Sequence, residues 1–353
     1  MSKSNYNAWN IEPIDPAKSS KKDLYLNLVS WAILAASSHN VQPWRFILRP
    51  EENIIDVCLH ESGILPASDK KARQAFISIG CAVENLLLAG EHYGITPKAE
   101  YICKIYPDPT VRLSFPQLQS GESRSDKSKK LLDAMKSRRM NRHKFNPMRP
   151  VPEDVINEIK KTAWDLGLVL DTVTDSATRF AIAEIQYTAN KAVVARTDFR
   201  KELGLFMSPN DTNEGRVMPG NTFGLSDEMA NKIHRELNKD GAFDPDLAFG
   251  FAASDRDGIK SSPLIGVISV NEDRPEFWIK AGRAFQKIAL VAEINNLNIA
   301  VHAAIVEVEM FNKLLKLRLR RRERPAVIFR MGYAIKDAPH SPRVNIESVV
   351  ECK

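Results

Sequence analysis

Ser37-Ser38-His39-Asn40-Val41-Gln42-Pro43-Trp44 is the stretch on which the reading of the fold turns. Its hydroxyls, amides and imidazole concentrate neutral hydrogen-bonding groups at one helix-to-strand turn. Pro43 is expected to hold Gln42 extended, and Trp44 supplies a large anchor or stacking plane. The same composition also suits a capped helix end followed by a core tryptophan. The residues alone leave both readings open.

Upstream, Ser20-Lys-Lys-Asp23 resembles a capping box, and Leu24, Leu28, Trp31 and Ala35 follow at helical spacing. Downstream, Trp44–Arg49 and Ile54–His60 read as strands of a hairpin closed by Pro50-Glu-Glu-Asn53. Ser68 is expected to cap a long helix that carries Ala72, Phe76, Ile79, Val83, Leu86 and Leu87 on one face and stops at Gly94. With strand candidates Ala99–Tyr106 and Val111–Phe115, the first half has the order α-β-β-α-β-β.

Gln117 to Lys130 has almost no apolar content and reads as a linker. Beyond it, Leu131–Arg139 is helical, and Pro152 suits the first position of a helix over Glu153–Trp164. Leu168–Val173 reads as a strand and Ser176–Val194 as a helix. Met207 to Asp227, rich in Pro, Asn, Gly and Asp without a period, reads as a long functional loop or lid. Pro263–Val270 and Pro325–Ala334 are strand candidates, and Glu276–Leu297 and Val308–Leu319 are helix candidates. The expected division is a first half over 1–120, a linker and helix over 121–137, and a second half over 138–353. Strands and helices alternate without regular βαβ units, so the expected class is α+β. Gly80-Cys-Ala-Val-Glu-Asn-Leu and Gly282-Arg-Ala-Phe-Gln-Lys-Ile share a pattern, which points to duplication of one unit.

The 353 residues are 43% hydrophobic and 27% charged, as expected of a soluble protein with a large core. The longest apolar run, Leu28 to Ala36, is far short of the ~20 residues a membrane span needs. No signal peptide is read in Met1 to Lys22, so a cytoplasmic location and no membrane partner are expected. Cys58, Cys81, Cys103 and Cys352 are scattered, which indicates neither disulfides nor zinc. The net charge of +6 owes much to Arg318, Arg320, Arg321, Arg322 and Arg324. That run reads as a solvated helix end, and no nucleic-acid partner is expected.

Two further clusters carry chemistry. Ser137-Arg138-Arg139-Met140-Asn141-Arg142-His143-Lys144-Phe145 gathers cations suited to a phosphate or another delocalised anion, with Phe145, Pro147 and Pro150 promising a packed exit. Near the C-terminus, Arg330 interrupts an apolar strand and needs an edge position or an anionic partner, and Arg343 follows His340-Ser341-Pro342. There is no P-loop, HExxH, Ser-His-Asp order or GxGxxG after a strand.

Ala36-Ser-Ser-His-Asn-Val-Gln-Pro-Trp44 resembles the serine turn of the nitroreductase superfamily, and Arg138-Arg-Met-Asn-Arg142 with Phe145 resembles its arginine motif. The order of the two motifs resembles the Acg-like branch, in which two nitroreductase-like units are fused, and the resemblance spans roughly residues 20 to 348. It implies a duplicated nitroreductase-like fold, an intramolecular pseudo-dimer, that binds flavin mononucleotide (FMN). It implies Arg138 as the phosphate-side arginine and Arg142 as the cation near flavin N1 and O2. Ser37, Ser38 and Asn40 resemble the partner subunit's contribution, and Arg343 a C-terminal phosphate ligand. Gln42, Arg139, Met140, Asn141 and Arg330 complete the expected cofactor-binding set. The implied activity is hydride transfer from NADPH or NADH through flavin N5 to a small-molecule acceptor such as a nitroaromatic or a quinone, with no side chain assigned to catalysis. The alternative is a protein that sequesters FMN without turnover.

Ala36 stands where the family has proline and Met140 where it has serine. The first half has no arginine motif before its first helix, and Thr162-Ala-Trp-Asp-Leu-Gly167 stands where the second would carry a serine turn. With one copy of each motif, one site per chain and a monomer are expected.

Overall fold

A computed structural model describes residues 4–95, 97–115, 125–239 and 244–353. Helix α1 (Lys21–Ala32) starts where the capping box predicts. The Ser20 hydroxyl accepts the Asp23 N–H at 3.1 Å and donates to the Asp23 carboxylate at 2.6 Å. The chain then turns through Ile33–Val41 into strands β1 (Trp44–Arg49) and β2 (Ile54–Leu59), paired antiparallel from Trp44↔Leu59 to Arg49↔Ile54.

Helix α2 (Arg73–His92) begins later than the sequence suggests. Ser68 does not cap it, because its hydroxyl is taken by Glu202 at 2.5 Å. Asp69 serves that end instead, accepting the Ala75 N–H at 3.0 Å, while Ala72 stands at φ 56°. Strands β3 (Lys98–Tyr101) and β4 (Val111–Ser114) follow. The expected Ala99–Tyr106 strand stops at Tyr101, and Cys103, at φ 63°, cannot continue a pleat. Of the expected linker, 117–124 lies outside the described residues. Its last residues are helical, because Ser125 caps α3 (Asp126–Ser137) by accepting the Ser128 N–H at 3.1 Å.

The second half contains α4 (Glu153–Trp164), β5 (Val169–Val173), α5 (Ser176–Val194), α6 (Thr197–Phe206), β6 (Met207–Ser208), β7 (Met218–Pro219), α7 (Asp227–Asn238) and α8 (Pro245–Lys260). It continues with β8 (Leu264–Val270), α9 (Pro275–Ile294), β9 (Asn298–His302), α10 (Ala304–Glu307), α11 (Glu309–Arg318), β10 (Arg324–Gly332) and β11 (Val350–Cys352). Sequence reading missed α6, α7 and α8. In α7 the signal is present, since Met229, Ala230, Ile233 and Leu237 fall at helical spacing behind the Ser226 cap, but the Pro-, Asn- and Gly-rich run before it draws the reading toward a loop.

The strands form two main sheets, ordered β11-β1-β2-β4-β3 and β5-β8-β10-β9. In the first, β11 joins parallel to β1 with Phe46↔Val350, so the last residues of the chain complete the first half's sheet. In the second, Met140 makes a parallel bridge to Ile299 on the outer edge of β9. Each sheet therefore has one parallel edge contact followed by antiparallel pairings. The chain order differs, because β1–β2 open the first half whereas β9 and β10 come late in the second.

The two halves meet along α2 and α9. A Cβ on Gly80 would run into the Ile279 carbonyl, and one on Gly282 into the Ile77 carbonyl. Glycine is required at both crossings because the two backbones touch there. Asn85 and Gln286 then pair across the same buried seam at 2.8 Å, and Arg283 reaches Glu84 at 2.8 Å. Among the described residues, no helix is long and apolar enough to cross a membrane, and no group of His, Cys, Asp and Glu could hold a metal.

Candidate functional site

The turn after α1 has an unusual backbone. His39, Asn40 and Gln42 all have positive φ, at 48°, 57° and 50°. Gln42 is thus not the extended residue expected before Pro43, because its side chain and backbone are tied to Ser37, Gly215 and Val344. Non-glycine residues seldom adopt this region, and such strain persists only where surrounding contacts enforce it. Those contacts come from distant segments. Asn40 donates to the Val217 and Pro342 carbonyls, each at 2.9 Å, and Gln42 donates to the Gly215 carbonyl at 2.7 Å and accepts the Val344 N–H at 3.1 Å. The Ser37 hydroxyl accepts the Gln42 N–H at 3.1 Å. Ser38 donates its N–H to the Ser78 hydroxyl at 3.1 Å, and its own hydroxyl has no partner among the described residues. Asn40 and Gln42 are thus joints of the turn, with their amides engaged inside the protein.

Two arginines close the C-terminal end of α1. Arg343 donates to the carbonyls of Ile33 at 2.9 Å and of Leu34 and Ala35 at 3.1 Å, and to Asn40 Oδ1 at 2.9 Å. Arg138 donates to the Leu34 carbonyl at 2.9 Å, while its Nε is buried without a partner. Carbonyls at a helix C-terminus carry partial negative charge, which draws both cations there. Burial lowers the pKa of both guanidiniums, and for Arg343 the nearby Arg138 lowers it further. The donors of Arg343 are engaged within the protein, whereas Arg138 keeps one free.

The arginine motif then leads away from this end. Met140 bridges to Ile299, and buried Asn141 bonds the Ile299 carbonyl through its N–H at 2.9 Å and the Lys336 carbonyl through its side chain at 2.8 Å. Arg139 is half-buried and has no hydrogen bond or ion pair among the described residues. Arg142 lies with its guanidinium 4.2 Å from the centre of the Phe223 ring and makes only a long contact, 3.4 Å, to the Thr222 carbonyl. Arg330, on β10, donates to the His143 carbonyl at 2.9 Å and stacks 4.1 Å from the Phe145 ring centre, and its Nε is buried without a partner. Burial lowers both Arg142 and Arg330 to about 10.

Beside them lies a polar cluster that sequence reasoning missed. Asp255 on α8 accepts from His302 Nδ1 at 2.7 Å, Gln186 at 2.7 Å and Asn190 at 2.8 Å. Burial alone would raise this carboxyl, but these donors hold it at about 2. His302 Nε2 is left buried and unpartnered. Asp255 and His302 stand 47 positions apart and meet only because α8 packs on α5, which brings Asp255 to the end of β9, so no local motif announces them.

His39 connects the two motifs. Its ring is 5.8 Å from Phe206, and burial, partly offset by Glu202 and reinforced by Arg142, lowers its pKa to about 4. The serine turn and Arg142 are therefore within electrostatic reach of one another. The loop from Met207 to Asp227 lies across the turn through Val217 and Gly215. It is knitted internally by the pairing Met207↔Met218 and by the Asn221 N–H donating to Asn210 at 2.6 Å. At its end Gly224, at φ 76°, sits against the His143 ring with no room for a Cβ.

A cavity of about 430 Å³ lies apart from these residues, lined by Asp69, Arg73, Trp278, Glu307 and Arg324 among others. There, burial together with Asp69 and Glu202 raises Glu307 to about 8.

What distinguishes the site is its charge balance. Several arginines elsewhere meet carboxylates, as in Arg112 with Asp56 at 2.7 Å, though buried Arg179 also rests on backbone carbonyls. What marks the site is that four such guanidiniums gather around it. Arg138, Arg142, Arg330 and Arg343 make their contacts with carbonyls, hydroxyls, an amide and rings, and none has a carboxylate at ion-pair distance among the described residues. Such burial is costly unless an anion completes it.

No family model and no curated protein matches the chain. Solved structures do. The FMN-dependent nitroreductase NfnB from Mycobacterium smegmatis in complex with NADPH is 15% identical, with 64% of this chain and 99% of that chain covered at a TM-score of 0.44. A putative NADH dehydrogenase/NAD(P)H nitroreductase from Parabacteroides distasonis is 14% identical, covering 62% of this chain and 95% of that one at a TM-score of 0.37. A nitroreductase with bound FMN from Bacteroides fragilis is 10% identical, covering 61% and 94% at a TM-score of 0.35. Over a little under two-thirds of its length, the chain is similar to structures of nitroreductases.

Proposed function

We propose that the chain is an FMN-binding, nitroreductase-like oxidoreductase built as an intramolecular pseudo-dimer with one cofactor site. The observation that carries this reading is the convergence of the serine turn with guanidiniums that lack carboxylate partners. The turn comes from the first half, and Arg138, Arg142, Arg330 and Arg343 come from the second. The α2–α9 crossing and the exchange of β11 into the first sheet support the pseudo-dimer.

The residues present fit the cofactor's donor requirements. Arg138 and Arg330 keep buried, unpartnered Nε groups able to donate to phosphate or flavin oxygens. Arg142 is assigned to the N1 and O2 edge, where its charge favours negative charge on the ring. Ser38 offers a free hydroxyl, and Arg139, Met140 and Asn141 carry the backbone past the site. Asn40, Gln42 and Arg343 hold the frame, because their polar groups are committed to the turn. FMN, when bound, supplies two-electron transfer that none of these side chains provides. The loop over Met207–Asp227 excludes water and has to move for NADPH, NADH or an acceptor such as a nitroaromatic or a quinone to enter.

That loop also favours a second reading, FMN sequestration without turnover, because its hydrogen bonds to Asn40 and Gln42 tie it to the cofactor side. One spectroscopic experiment separates the two. Purified protein is expected to show flavin absorbance and to bleach on anaerobic addition of NADPH or NADH. Bleaching only with dithionite would support sequestration, and a colourless protein that takes up no FMN would overturn both readings.

A further inference from the structure

We propose that the outward face of α11 and the arginine-rich turn after it form a docking surface for an anionic lipid membrane. The inward face of α11 is spent on the core, where Phe311, Asn312 and Leu315 are buried. The outward face is not polar, as a solvated helix would be. Met310, Leu314 and Leu317, spaced i, i+4 and i+7, form one stripe and are 61%, 43% and 72% exposed. At 3.6 residues per turn, Lys313 falls on one side of this stripe and Arg318 on the other. The chain then turns at Arg320, φ 55°, and presents exposed Arg320 and Arg322 beyond the helix end.

The charge count identifies the occupant. Arg321 is neutralised by Asp171 at 2.7 Å, and Arg324 by Glu309 at 2.9 Å. Lys313, Lys316, Arg318, Arg320 and Arg322 have no carboxylate at ion-pair distance among the described residues. Arg318 touches the Thr178 hydroxyl at 3.4 Å and feels Asp175 electrostatically. A second copy is disfavoured, because a twofold interface would set these cations against themselves. A nucleic acid would use the cations but leave the leucines in water, and the stripe has no aromatic ring on which bases could stack. A convex aliphatic stripe between long cations suits an interface where the apolar groups enter acyl chains and the cations remain among headgroups. The expectation of no membrane partner rested on the lack of a spanning segment and is revised here for the surface.

The test uses the full chain and sedimentation with phosphatidylcholine vesicles, with or without phosphatidylglycerol. Binding is expected only with phosphatidylglycerol and is expected to weaken in high salt. Replacing Arg320→Glu together with Arg322→Glu should cut affinity at least tenfold, since each cation near such a surface contributes about fivefold. Replacing Leu314→Glu with Leu317→Glu should cut it at least about tenfold as well, with thermal unfolding unchanged because both residues are exposed. No wild-type binding to phosphatidylglycerol vesicles, or binding untouched by the leucine pair, would overturn the proposal. It would equally be overturned if the leucine pair dissociated a dimer in solution, or if duplex DNA bound the wild type and the leucine variant equally while vesicles did not.

Discussion

At the scale of single residues, Arg142 and Arg343 look alike in sequence and differ in what they do. Arg343 distributes its donors over three carbonyls of the α1 end and over Asn40. Arg343→Ala should therefore destabilise the protein by about 3 kcal/mol in denaturant titration, since it strips several charge-assisted hydrogen bonds from buried acceptors. Arg142 has only the long Thr222 contact and the Phe223 ring to lose. Arg142→Ala should leave the stability of the flavin-free protein within about 1 kcal/mol while weakening FMN binding on the order of ten- to a hundredfold. FMN titration by fluorescence quenching measures this, and unchanged affinity would remove Arg142 from the cofactor shell. Both arginines were singled out in the sequence because each sits in or near a local cluster, but Arg343, expected on the phosphate, has its donors committed to the α1 end and Asn40. His302 and Asp255 were not singled out, because their meeting depends on tertiary packing.

The elements were most legible where one local signal governs. Ser20 starts α1, and the β1–β2 hairpin spans the residues predicted for it. Reading failed where a distant partner competes, as when Glu202 takes the Ser68 hydroxyl and leaves Asp69 to serve the start of α2. It failed again for α7, whose cap at Ser226 and apolar spacing Met229, Ala230, Ile233 and Leu237 are passed over beside the irregular stretch that precedes them. The glycines that first suggested duplication prove to be the points where α2 and α9 touch. Gly80→Val or Gly282→Val should force the helices apart and cost about 3 kcal/mol or more, because a side chain there meets a backbone carbonyl with no flexible neighbour to yield. Chemical denaturation showing a loss below about 1 kcal/mol at both positions would refute the contact. In contrast, Gly250→Ala on α8, where a Cβ meets nothing within 4 Å, should be neutral or slightly stabilising.

For the whole molecule, buried ionisable groups set the pH dependence. Glu307 has its pKa raised from 4.5 to about 8, so folding keeps it protonated while the unfolded chain releases the proton. The folded state binds more protons across that window, and this group's contribution to stability falls as pH rises from 4.5 to about 8. Glu307→Gln should therefore raise the melting temperature above pH 8, by about 2–4 °C for each kcal/mol regained, and change little below pH 4.5. His39 acts on the acid side. Its pKa is lowered from 6.5 to about 4, so folding opposes protonation and stability declines as pH falls through that range. Melting curves of wild type and Glu307→Gln above pH 4.5 check the first arm, where parallel profiles would contradict it. His39→Gln between pH 6.5 and 4 checks the second, where an unchanged acid slope would contradict it. Strand β11 lies in the expected second half yet joins β1 of the first sheet, whereas the Met140 bridge to Ile299 stays within residues 138–353.

The central claim is a single cofactor site assembled from both halves of one chain. Native mass spectrometry of the purified, FMN-saturated protein tests it most directly, because it reads cofactor count and chain count together. The predicted result is one FMN on a 39.7 kDa monomer, with Arg142→Ala shifting the population toward the flavin-free mass. Two FMN per chain, FMN bound only by a dimer, or no FMN at all would contradict it.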